Sequence, residues 1–249
     1  TLLSQTLCLI FMLFYLWKKK LFSISLAAFE RKWILPLCGK GLPAAFQQSI
    51  PAISTSFLTS LVSGCGISAI AAYGVAGKLE ILLFYPAMAL NMVLTAIVGQ
   101  CAGGGRLDRV KDYLKLSLLY GGVCLAVLSF LVVCFAQSLC RLFVDSTEVN
   151  RIVQTYFQII GVGYVLNTVT NCFLGAVNGL GKPGKSLFCM VLYYLIVRMP
   201  LAWILTVLGF GLNGIWAAVL LSHVVAAAAA CLVGRKEMIP SPRKACVCR

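Results

Sequence analysis

Seven apolar stretches, separated by short gaps that hold most of the charge, organise this chain. They cover residues 2–17, 42–63, 67–98, 116–139, 152–177, 186–208 and 212–233. Each except the first matches the roughly 20 residues an α-helix needs to cross a hydrocarbon layer about 30 Å thick. The first is short, as a helix cut at its start would be, and the chain opening on Thr1 inside it reads as the later part of a longer protein. The third is the longest, so it must tilt, protrude or kink. Pro86 is its kink candidate, because proline removes a backbone hydrogen bond, and Pro51 plays that part in the second. The pattern predicts an all-α integral membrane bundle of about seven transmembrane helices.

Composition agrees. The 249 residues are 61% hydrophobic and 11% charged, with a mean hydropathy of +0.95, whereas soluble domains carry about 25% charged residues. The net charge of +14 comes from 21 Lys and Arg against 7 Asp and Glu. Taken alone, that balance would suggest nucleic acid, but placement argues against it, and no nucleic-acid partner is expected. Alternate gaps and the tail hold 17 basic residues: Lys18, Lys19, Lys20, Arg31, Lys32 and Lys40 first, then Arg106, Arg109, Lys111 and Lys115, then Lys182 and Lys185. Arg235, Lys236, Arg243, Lys244 and Arg249 close the series. The opposite gaps hold 2, Arg141 and Arg151. Basic residues gather on the cytoplasmic side, which places the first gap and the C-terminus there, in a multi-pass protein of the plasma membrane.

The first gap differs from the others. Residues 21–37 mix apolar positions with Glu30, Arg31 and Lys32, as an interfacial amphipathic helix would; an ordinary linker is the alternative. Of the twelve cysteines, most stand singly within apolar runs and behave as small hydrophobes. Cys246 and Cys248 lie in a short basic tail, where acylation is the lesser reading. No metal site or cofactor is expected, and no HExxH, paired CxxC or Gly-x-Ser-x-Gly pattern is present, so an enzyme is not expected either.

Polar residues within apolar spans are costly to keep and mark function. The second span carries Gln47, Gln48, Ser54 and Thr55, the fifth Tyr164, Asn167 and Asn171 at helical spacing. These are the candidate lining of a substrate cavity, with interhelical hydrogen bonding as the structural alternative. Glu80 is the carboxylate lying well inside a span and the candidate proton or ion carrier. Lys78, two residues away, cannot face it on a helix. Arg198 in the sixth span could counter Glu80, bind an anion, or cap backbone broken by Pro200. Small residues at Gly74, Gly77, Gly161, Gly163 and 226–230 permit close helix packing or thin the walls of a cavity. His223 reads as a packing residue.

Several motifs resemble the multidrug and toxic-compound extrusion (MATE) transporters. They are Gly41-Leu42-Pro43, Ala71-Ala72-Tyr73-Gly74-Val75-Ala76, Pro86-Ala87-Met88-Ala89-Leu90, and Val98-Gly99-Gln100-Cys101-Ala102-Gly103-Gly104-Gly105 with Arg109 following. Further on come Gly175-Ala176-Val177-Asn178-Gly179-Leu180-Gly181-Lys182-Pro183, Arg198-Met199-Pro200-Leu201-Ala202-Trp203 and Gly211-Leu212-Asn213-Gly214-Ile215-Trp216-Ala217-Ala218. Their order over nearly the whole chain carries the resemblance.

The resemblance implies the last helix of an N-lobe (1–17), an inter-lobe connection (18–40), a six-helix C-lobe (41–234) and a basic cytoplasmic tail (235–249). It implies an antiporter that exports small organic, often cationic, compounds in exchange for H+ or Na+. The missing N-terminal six-helix lobe of the same protein, membrane lipid and the organic substrate would be its partners. Some members carry a glutamate in helix seven and an aspartate in helix ten, where this chain has Ser54 and Thr55, and Asn167 and Asn171. The main coupling acid would then lie in the N-lobe. A flippase for lipid-linked substrates and a non-transporting relic are the alternatives.

Overall fold

The computed structural model describes residues 2–19 and 34–238. They are helical almost throughout and divide into two units, split between Gly39 and Lys40. The first contains α1 (Leu2–Lys18) and the opening residues of α2 (Ile34–Ser63). The second is a bundle of the rest of α2, α3 (Ile67–Gly103), α4 (Leu107–Arg141), α5 (Thr147–Gly179), one long rod, and α8 (Gly211–Met238). The rod joins α6 (Pro183–Val191), a π-helical stretch Leu192–Arg198, and α7 (Met199–Val207).

Five of these elements are long and apolar enough to cross a membrane: α3, α4, α5, the rod and α8. They make this a multi-pass membrane protein. The helices overrun the apolar stretches that announce them, α4 starting nine residues before residue 116 and α3 reaching Gly103. Hydropathy marks the part of a helix in lipid, whereas the backbone ladder continues into polar ends such as Asp108, Arg109 and Lys111. Residues 34–40, expected within a connection, are likewise helical. Most of the amphipathic stretch expected over residues 21–37, Cys246, Cys248 and most of the basic tail lie outside the described residues.

The bundle is apolar outside as well as within, and its interior also keeps polar side chains. The outer face of α4 exposes Leu119, Tyr120, Val123, Val127 and Phe130 at helical spacing, which suits lipid. The interior holds Asn167, Thr168, Thr170 and Asn171 of α5, the central helix, which packs on α3, α4 and α8.

Glycine and hydrogen bonds fix how α5 meets α3. A Cβ on Gly175 would stand 2.6 Å from the Asn91 carbonyl oxygen, and one on Gly179 would stand 2.8 Å from that of Thr95. Across this close approach Asn91 Nδ2 donates to the Asn171 carbonyl (3.0 Å) and Thr95 Oγ1 to that of Gly175 (3.2 Å). Asn91 and Thr95 therefore join the two helices.

The glycine-rich stretch after α3 is a helix stop. Gly105 adopts φ +70°, Arg106 N–H donates to the Cys101 carbonyl and Gly105 N–H to that of Ala102, the paired bonds of a Schellman motif. Gly181 ends α5 in the same way, with φ +74°.

Candidate functional site

A cavity of about 970 Å³ opens within the second unit. Helix α3 supplies one wall from Tyr73, Gly77, Glu80, Phe84, Met88 and Asn91. Steps of three and four residues put these on one helical face. Gly74 and Gly77 leave open space where side chains would stand. In contrast, Gly161 and Gly163 are covered by Val133 and His223. Small residues thus serve the cavity on α3 and packing on α5.

Gln47, Gln48, Pro51 and Thr55 of α2 face the cavity, as do Asn167 and Asn171 of α5. Two of the expected lining residues do not. Ser54 is fully buried, on the α2 stripe Gln47, Ile50, Ser54, Leu58 and Val62 that faces the bundle. Its neighbour Thr55 lies about 100° further round the helix. Tyr164 is buried behind the lining, where its hydroxyl donates to Glu80 Oε1 at 2.6 Å.

Many polar side chains of α2 are satisfied within their own helix. The hydroxyls of Ser49, Thr55, Ser56 and Thr59 each donate to the carbonyl four residues earlier. Gln47 reaches further, its Oε1 accepting from Asn178 Nδ2 at 3.4 Å. On α5, Asn171 Nδ2 donates to both the carbonyl and the Oδ1 of Asn167. Helices α2 and α3 both continue through Pro51 and Pro86.

Glu80 sits at the heart of the α3 wall. Tyr156 and Tyr164 both donate to its Oε1, an arrangement in which the carboxyl acts as acceptor. Its second oxygen has no partner among the described residues and is not sealed from the cavity. Tyr156 is fixed by Trp216 of α8 (ring centroids 4.7 Å, edge-on), and Tyr73 stacks on the same indole at 5.6 Å. The sequence pointed to Glu80 but not to this aromatic surround, whose members come from α3, α5 and α8.

Arg198, the candidate charge partner of Glu80, lines the same cavity but makes no contact ion pair with it among the described residues. It bonds instead to Ser222 Oγ (Nε, 2.9 Å), the Tyr193 hydroxyl and His223 Nε2 (3.2 Å), all buried. The π-helical register explains the contact with Tyr193. Its i→i+5 hydrogen bonding brings residues five apart onto neighbouring positions, whereas an α-helix would separate them by about 140°. Pro200 follows, and a proline within a rod displaces the backbone bonding of the turn before it. That proline was the available signal for the π-turn. His223 belongs to this cluster and lines the cavity.

A family model described as MatE matches residues 43–204. The chain belongs to the MatE family. That family is one of transporters rather than of enzymes. A FAD transporter of Shewanella oneidensis is 28% identical over 160 residues, covering 64% of this chain and 35% of that protein. A probable multidrug resistance protein NorM of Pasteurella multocida is 25% identical over 196 residues, covering 77% of this chain and 42% of that protein. The MatE chain thus spans less than half the length of these relatives. Solved structures show the same fold. A MATE in the straight conformation matches with a TM-score of 0.87 at 21% identity, over 96% of this chain and 55% of that one. Vibrio cholerae VcmN in the bent form matches at 0.80 and 20% identity, over 90% and 51%.

Proposed function

We propose that this chain forms the C-terminal half of a secondary active antiporter that exports small organic compounds in exchange for protons or sodium ions. The motif order and the basic residues of alternate gaps support that half, with the C-terminus cytoplasmic in a plasma membrane. Gln47, Gln48, Asn167 and Asn171 contribute its side of the substrate path, and Glu80 is a carrier of the coupling ion. The observation that carries this reading is the cavity-lining Glu80 carboxyl, held by two tyrosines at one oxygen and without a partner among the described residues at the other. A carboxyl can bind cation or proton there and give it up when the lobes change access; the ligand must favour one state to shift the pair. The names of relatives, multidrug resistance proteins and a FAD transporter, support organic cargo of more than one kind.

The test is efflux by the protein of the complete reading frame, reconstituted in vesicles with an imposed proton or sodium gradient. Glu80→Gln keeps the shape and removes the charge, and is expected to lower gradient-driven efflux at least tenfold at unchanged thermal stability. Normal efflux by that variant would remove Glu80 from the mechanism. No efflux by the unaltered protein under either gradient would remove the antiporter reading itself.

A further inference from the structure

Arg198 has more hydrogen-bonding capacity than the protein uses. Its guanidinium is buried, at 6% exposure, yet no carboxylate among the described residues pairs with it. Taking an arginine out of water without a counter-charge is unfavourable unless something else supplies the acceptors.

The bonding pattern fixes which donors remain. Arginine donates and never accepts, so His223 Nε2, 3.2 Å from Nη2, must be an acceptor. The neutral imidazole then carries its proton on Nδ1, which donates to the Tyr193 hydroxyl oxygen at 2.9 Å. That oxygen also accepts from Arg198 Nη2. Ser222 is fully used, accepting from Nε and donating to the Val219 carbonyl. Nη1 has no acceptor among the described residues and is not sealed from the cavity. The rings of Tyr193 and Tyr194 lie against the guanidinium, 4.6 and 4.7 Å from Cζ. They direct recognition to its edge, where N–H groups meet an oxyanion in the plane. The cluster thus offers donors and a positive charge at one place in the cavity. The cavity wall also holds the aromatic and methionine side chains of Tyr73, Phe84, Tyr85 and Met88, with Glu80, Gln47, Gln48, Asn167 and Asn171 among its other polar lining.

We propose that Arg198 is the anion-recognition point of this cavity, and that the cargo it selects is a flat aromatic ring carrying a carboxylate or phosphate. The proposal rests on the transport reading of the same cavity and narrows its substrate class. Arg198 takes the oxyanion, while the aromatic and methionine wall takes the ring.

One ring carrying different charges tests it. Binding of 1-naphthyl phosphate, 1-naphthoate, 1-naphthylmethanol and 1-naphthylmethylammonium to the full-length protein in phosphatidylcholine nanodiscs is measured by fluorescence, with empty discs subtracted. Both anions are expected to bind at least tenfold tighter than the alcohol. Arg198→Gln should abolish that advantage while leaving the alcohol unchanged, and Arg198→Lys should restore part of it. Equal binding of anions and alcohol by the unaltered protein would overturn the proposal, whatever the variant does. So would a parallel loss of all four probes in Arg198→Gln, which would mark a structural role. Tightest binding of the ammonium probe would also overturn it, yet leave antiport of cations standing, since efflux is measured separately. Displacement of naphthyl phosphate by added phosphatidic acid would assign the cluster to a lipid headgroup and overturn the cargo reading.

Discussion

The two halves of α3 use similar residues for opposite ends. Towards its C-terminus, Asn91 and Thr95 face α5 across the glycines Gly175 and Gly179, and their side chains bond to α5 carbonyls. Towards its N-terminus, Gly74 and Gly77 face empty space, and Glu80 keeps an oxygen without a partner among the described residues. In the first region glycine admits a backbone; in the second it preserves a void. Polar groups divide likewise. Those at the seam spend their bonds on the fold, while Glu80 and Arg198 hold bonding capacity in reserve.

The sharpest break in this comparison comes from adding bulk on either side. Gly175→Val would drive atoms into the Asn91 backbone, which cannot yield as a flexible side-chain tip can. We expect a cost on the order of 3 kcal/mol, read as a lowered unfolding midpoint or loss of folded protein. Gly77→Leu meets nothing within 4 Å of its Cβ. Leucine is the better helix former by roughly 0.5–1 kcal/mol, so the unfolding midpoint should hold or rise while efflux falls about tenfold as the cavity fills. If both variants melted alike, the distinction between seam and void would be lost.

The smallest effect belongs to neither region. Glu237, beyond the apolar part of α8, pairs with Lys182 and Lys185 beside α6. The two ammonium groups, chiefly by hydrogen bonding, hold its carboxyl down at about 2 against an ordinary 4.5. Because the folded-state value is the lower one, the cluster stabilises in full above about 4.5 and loses that contribution as pH falls towards 2. Ion pairs near water contribute within about 1 kcal/mol and are screened by salt. Glu237→Gln should therefore lower the unfolding midpoint slightly at pH 7 and not at pH 2. The pH 7 difference should shrink in 1 M salt. An equal difference at both pH values would show that shape, not charge, sets the contribution.

Much of the architecture was legible along the chain. Apolar runs of membrane length marked the helices. Glu80 was legible as a site residue because a lone carboxyl in an apolar run is costly enough to need a reason. Helix bounds were less so, since hydropathy stops where lipid stops but backbone bonding does not. Ser54 and Tyr164 were misplaced for a related reason: polarity says that a side chain needs a partner, not whether that partner is cavity, helix or carboxyl.

The sequence by itself determined the membrane bundle, the family resemblance and the presence of a charge that must be accommodated. The bundle and the charge follow from composition and periodicity, and the resemblance from the order of short motifs, all read residue by residue along the chain. Only the tertiary structure decided that Asn91 and Thr95 tie helices together, that Tyr156 and Tyr164 converge on one Glu80 oxygen, and that Arg198 joins Tyr193, Ser222 and His223 rather than Glu80. These depend on distances between helices up to 84 residues apart in sequence, and on a π-turn whose register changes which side chains meet. A hydrogen bond's partner is a property of space, and no local pattern encodes it.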